Sequence, residues 1–215
     1  LHGQRVHGFL GVPTGKGPFP AAVFFPGAGP GWGRPIDVGL TCRGVLTLML
    51  NVHPYAVASD TEAAAAQLKE YVASHRVQSY LAVGASAPDT FHFHGILAGF
   101  CRALDYLCTH AGWWDGRHLV FEGASQGGFL TLAMSGLYAD KVTRALAGVP
   151  YLCDFPRNHP DAAPATLHTM AYYDPANLAA WIRCPLQMSV AFADGSCPPA
   201  TVFSAFHAAG AAQKQ

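Results

Sequence analysis

The chain has 215 residues, 51% hydrophobic and only 12% charged, and its 13 basic and 13 acidic side chains cancel. That length supports one substantial core, and a composition this rich in interior residues excludes a disordered polypeptide. Zero net charge without a Lys/Arg cluster gives no electrostatic support for nucleic acid or an acidic membrane surface as partner, and no apolar run reaches the length of a bilayer span.

Leu1 is not an initiator, and a strand-like pattern starts almost at once. The chain therefore reads as a single domain, residues 1–215, belonging to a longer polypeptide clipped at both ends, and a missing signal peptide says nothing about cytoplasmic or secreted localisation. Residues 5–12 alternate as a strand does. Residues 21–25, AAVFF, form a short apolar run expected to be a buried parallel strand. It leads into residues 26–33, PGAGPGWG, which hold too many glycines and prolines for a helix or strand. A loop after a buried strand lies at the ligand-binding end of a parallel sheet, where its backbone N–H groups can approach a substrate atom. Pro26 has no N–H, so Gly27, Ala28 or Gly29 must donate.

Residues 44–52 read as a second buried strand, and 61–76 as a helix capped by Asp60 or Thr61. Residues 77–88 read as a loop. Phe93, Leu97, Phe100, Leu104 and Leu107 then mark one face of a helix whose start is signalled by Asp89 and Thr90. His92 and His94 stand two apart without acidic or Cys partners, a poor metal set. The six cysteines show no C-x-x-C spacing and are expected to be mostly buried free thiols.

The run 118–133 is a short apolar strand, a glycine-rich turn and a helix. At its centre Gly123-Ala124-Ser125-Gln126-Gly127 matches G-x-S-x-G, with Gly128 following. In that motif the serine sits on a strained strand-to-helix corner with its hydroxyl thrust out, and the flanking glycines avoid clashes where strand and helix nearly touch. Serine is a weak nucleophile until a histidine takes its proton, and helix N-terminal amides can hold an oxyanion. Beyond the elbow, 142–149 read as a strand, 150–170 as an irregular loop that could cover the site, 174–182 as a helix, 186–192 as a strand and 201–209 as a last helix. Strands alternating with helices imply a doubly wound, mostly parallel α/β sheet.

Four stretches resemble the acetyl xylan esterase / cephalosporin-C deacetylase family of the α/β-hydrolase fold: Gly123–Gly128, residues 148–156 (GVPYLCDFP), 172–177 (YYDPAN) and 193–203 (ADGSCPPATVF). The resemblance implies Ser125 as nucleophile and Asp194 as the carboxylate that orients the histidine. Asp194 also directly follows a predicted strand, unlike Asp154, Asp161 and Asp174, although an Asx turn before Gly195 would explain it as well. The oxyanion donors implied are the amides of Gln126 and Ala28, each contributing on the order of 3 kcal/mol to lowering the barrier. The family has a tyrosine in the oxyanion loop where Ala28 stands here, its ring walling the acyl pocket, and the resemblance implies Trp32 as the residue to refill that space.

The expected function is hydrolysis of acetyl esters on acetylated xylo-oligosaccharides or similar sugars through an acyl-enzyme. It needs no cofactor and no metal, the partner is a small-molecule or oligosaccharide ester, and a homo-oligomer is compatible with it. A broader carboxylesterase, lipase-like or lactone hydrolase is the alternative, and a catalytically inactive binding fold is a third. The family's histidine follows the acid after one more strand. Here only His207 follows Asp194, and it falls in a predicted helix, so the triad histidine is expected beyond Gln215. Recruitment of His53 or His92 and loss of catalysis are the competing explanations.

Overall fold

The computed structural model describes residues 5–31, 38–56, 58, 60–110 and 112–215. Trp32 lies outside them. The described residues form a six-stranded sheet, β1 (Gly8–Gly11), β2 (Phe19–Phe25), β3 (Leu46–Leu50), β4 (Trp114–Ala124), β5 (Arg144–Gly148) and β6 (Leu186–Ser189), in the spatial order β1-β3-β2-β4-β5-β6. Only β1 is antiparallel to its neighbour. Residues 213–215 run alongside β6, where Leu186 donates to Gln213 (2.9 Å) and Gln215 donates to Leu186 (3.1 Å).

Among the described residues eight helices flank the sheet: α1 (Val38–Cys42), α2 (Thr61–Ser74), α3 (His92–Thr109), α4 (Gln126–Leu137), α5 (Phe155–Asn158), α6 (Pro164–Tyr173), α7 (Pro175–Leu178) and α8 (Pro199–Ala208). Short 3-10 turns lie at Tyr80–Ala82 and Ala179–Trp181. The expected doubly wound, mostly parallel arrangement therefore holds in its main feature, a parallel sheet with helical cover. Asp60 caps α2 as expected, accepting from the Ala63 amide at 2.8 Å.

Several boundaries differ from the sequence expectation. The stretch 150–170 is not one irregular loop, because two of its four prolines start helices instead of breaking them. Pro164 opens α6 and Pro156 lies in the first turn of α5, positions where an N–H has no helical partner to lose. The helix expected over 174–182 divides into α7 and a 3-10 turn, with Asp174 capping Pro175-Ala176. α3 begins at His92, later than Asp89 and Thr90 suggested, since the Thr90 hydroxyl is committed to the carbonyls of Gly84 and Ala87 in the preceding turn.

The core lies between the sheet and α3 and α4. Phe25 packs on Phe100 and Phe121 (ring centroids 4.7 and 5.2 Å), and Phe93 on Phe129 (4.9 Å). Each such ring contributes roughly 2–3 kcal/mol by leaving water. α4 is apolar on all sides, and every residue from Gln126 to Ser135 is buried, so it is a central helix and not an amphipathic surface one. Register then sets the site. Gly123 pairs with Phe25 and Ala147, Ala124 with Gly148, and Gly148 with Ser189. The segments leaving β2, β4, β5 and β6 thus emerge level with one another at the carboxyl end of the sheet, where parallel α/β folds bind ligands.

Candidate active site

Ser125 occupies the corner between β4 and α4 with φ 57° and ψ −118°. A non-glycine residue holds that conformation only when its surroundings enforce it. They do so from both sides: the Ser125 amide donates to the Gly148 carbonyl (2.9 Å), and its own carbonyl accepts from Tyr151 (3.0 Å) and Phe129 (3.0 Å). The glycines are required by contact. A Cβ at Gly123 would come within 2.5 Å of the Gly127 carbonyl oxygen, and one at Gly127 would overlap the Phe25 carbonyl oxygen. The supporting run after β5 is itself strained, with positive φ at Val149, Leu152 and Asp154.

The loop after β2 lies beside this corner, and a Cβ at Gly27 would sit 3.6 Å from the Ala124 carbonyl oxygen. Three side chains from elsewhere hold the loop. His53 Nε2 donates to the Gly29 carbonyl (2.7 Å), Tyr55 donates to the Pro30 carbonyl (3.0 Å), and Asn51 fills the space a side chain at Gly31 would need. The fully buried Gln126 is held by Tyr80, whose hydroxyl donates to Oε1 at 2.6 Å. Among the described residues, the amides of Ala28 and Gln126 donate to no protein acceptor.

Asp194 sits in the loop after β6 and forms the Asx turn that was its alternative explanation: Oδ1 accepts from the amides of Ser196 and Cys197, both at 2.8 Å. That turn carries Cys197 to the elbow, its Sγ 4.0 Å from Ser125 Oγ. Cys197 is buried, and burial pushes its thiol pKa up, so the neighbour of Ser125 is a neutral thiol. The rival acids are placed differently. Asp174 spends its carboxylate on the amides of Asp154 (3.0 Å), Phe155 (2.8 Å) and Ala176 (2.9 Å). Asp154 pairs with Arg157 (2.7 Å) and Ser204 (2.8 Å), and Asp161 is exposed before α6.

Among the described residues no imidazole bonds to Ser125 or Asp194. His207 is exposed on α8 against Phe203 and Phe206. His53 and His92 are buried and stack at 5.5 Å in a cluster with Tyr55, Tyr71 and Tyr80. Burial lowers the pKa of both, that of His92 to about 3 with help from the neighbouring His53 and His75. A cavity of about 440 Å³ opens on this cluster, between β3, α2 and α3, and Ser125 is not among its walls. Among the described residues no group of three His, Cys, Asp or Glu side chains could hold a metal, and no helix is long and apolar enough to cross a membrane.

A sequence profile of the family described as acetyl xylan esterase (AXE1) matches residues 1–160 and 158–215. The chain belongs to the acetyl xylan esterase family. One similar family protein, the acetyl esterase Axe7A of Xylanibacter ruminicola, is 30% identical over 217 residues, covering 93% of this chain. The chain spans about half, 48%, of that relative's length. Two solved structures share the α/β-hydrolase fold. The acetyl xylan esterase from Paenibacillus sp. superposes with a TM-score of 0.81 at 23% identity, over 100% of this chain and 72% of its own. Acetyl xylan esterase 1 from Thermoanaerobacterium sp. gives 0.77 at 20% identity, over 98% and 71%.

Reasoning from sequence pointed to Ser125, Gln126, Asp194 and the loop of Gly27, Ala28 and Gly29, and these residues share one end of the sheet. It gave no role to Tyr80, Tyr55 or Cys197, and considered His53 only as a substitute base. His53 leaves a buried strand at the same end as the elbow, and that position was the available signal.

Proposed function

We propose that the chain carries the nucleophile, the orienting acid and the oxyanion hole of a serine esterase that removes acetyl groups from acetylated xylo-oligosaccharides or similar sugars. The observation that carries this reading is the strained corner at Ser125, set beside both a loop with a free amide at Ala28 and the acidic turn of Asp194. Ser125 Oγ attacks the ester carbonyl, the amides of Gln126 and Ala28 hold the oxyanion, and the sugar hydroxyl leaves. Water then clears the acetyl-enzyme. Asp194 Oδ1 is occupied by its own turn, which leaves Oδ2 to hold an imidazole. The base is assigned to a histidine that follows Asp194, in the chain order serine, acid, histidine.

Ala28 favours a second reading of acyl choice. Its methyl group fills little of the space beside Ser125, so propionyl and butyryl esters are accepted along with acetyl. Acetate release from acetylated xylo-oligosaccharides by the full-length protein tests the reading. Activity is expected in the wild type and none above background in Ser125→Ala. Wild-type turnover in that variant would remove Ser125 from the mechanism.

A further inference from the structure

We infer that Tyr80 is a positioning residue for the oxyanion hole, its hydroxyl holding Gln126, the first residue of α4, while its ring packs on His53, which holds the loop after β2. This rests on the serine-esterase reading above. An oxyanion hole needs two donors at a fixed separation, and here they come from segments far apart in sequence. Gln126 is immobilised in the core by α4. The loop of residues 26–31 has neither helix nor strand to hold it, and three of its six residues are glycine.

Tyr80 spans the gap. It lies on a one-turn 3-10 helix whose Leu81 amide is capped by the Ser79 hydroxyl (3.3 Å), and it is buried edge-on against His53 and His92. Its hydroxyl donates to Gln126 Oε1 at 2.6 Å, and its ring stands edge-on to His53 at 4.9 Å. His53 Nε2 in turn donates to the Gly29 carbonyl at 2.7 Å. The chain of contacts therefore runs from Gln126 through Tyr80 and His53 to the loop, and it sets the peptide group that follows Gly29 against the residue that supplies the other donor. Burial pushes the Tyr80 phenol up to about 12, so the hydroxyl keeps its proton throughout the neutral range. Tyr80 touches no reacting atom. It acts through Gln126 and His53.

The test compares variants of the full-length protein. In Tyr80→Phe, kcat on an acetyl ester is expected to fall about 10- to 100-fold with KM within about 2-fold, the pattern of a misplaced transition-state donor. A tetrahedral boronic-acid inhibitor should weaken by the same factor, while stoichiometric labelling of Ser125 by a fluorophosphonate shows that the fold persists. His53→Leu should show the same split, and His53→Gln, whose amide can still donate to the Gly29 carbonyl, should recover most of it. The His53 pair decides the matter if Tyr80→Phe does not label. Tyr80→Phe with wild-type kcat, or a loss shared equally by KM, overturns the inference, as does a His53→Gln no better than His53→Leu. A wild type that neither labels at Ser125 nor releases acetate overturns the esterase reading beneath it.

Discussion

Acid should destabilise this fold through His92, and the size of the effect follows from the ring's surroundings. The ring is 8% exposed, its Nδ1 pairs with the Tyr71 hydroxyl at 3.1 Å, and its Nε2 is buried without a partner among the described residues. Desolvation, followed by the neighbouring His53 and His75, takes its pKa from 6.5 to about 3. A pKa lowered by folding means that the unfolded chain binds the proton more tightly. The stability contribution is therefore present above pH 6.5 and is lost as the pH falls toward 3. At about 1.4 kcal/mol per pH unit the full loss is about 5 kcal/mol, of which about 2 kcal/mol is reached by about pH 5. Urea denaturation of wild type and His92→Phe at about pH 7.5 and about pH 5 isolates it, because the variant lacks this proton site. The wild type should lose about 2 kcal/mol more than the variant between the two conditions. Equal losses would show that His92 is not held neutral in the folded state.

Three further outcomes follow from the site. Gly127→Ala drives a methyl group into the Phe25 carbonyl at the end of β2. It should cost about 1–3 kcal/mol in denaturant melts, and unchanged stability would mean that strand and helix are further apart than described. Asp194→Asn keeps the Oδ1 acceptor of the Ser196 and Cys197 turn, so it should fold normally while turnover falls by several orders of magnitude. A larger loss from Asp174→Asn would move the acid to a carboxylate now bonded to three amides. Finally, transition-state binding should weaken by less than about 3 kcal/mol from acetyl to butyryl esters, read as kcat/KM, if Ala28 leaves the acyl pocket open.

What could be read from the sequence was what is local. The elbow announces itself because three glycines and a serine must sit within six residues to let β4 and α4 meet, and the alternation of apolar runs with helical periods carries the parallel sheet. The prolines at 156 and 164 misled, because proline at a first helical turn and proline in a loop look alike until the neighbours' φ and ψ are known. The supports of the loop after β2 were illegible for another reason. Tyr80 reaches Gln126 across 46 positions and His53 reaches Gly29 across 24. Neither tyrosine nor histidine leaves a periodic trace when it serves a distant backbone group. Asp194 lay between these extremes: its position after a strand was visible, but the link through Cys197 to Ser125 needed the fold.

The most direct measurement is to acid-quench the full-length protein during turnover of an activated acetyl ester and locate the trapped acyl group by peptide mass spectrometry. One acetyl group on Ser125, absent from Ser125→Ala, is the predicted result. Acetate release with the acetyl group on another residue, or undiminished in Ser125→Ala, would contradict the assignment of this corner as the nucleophile.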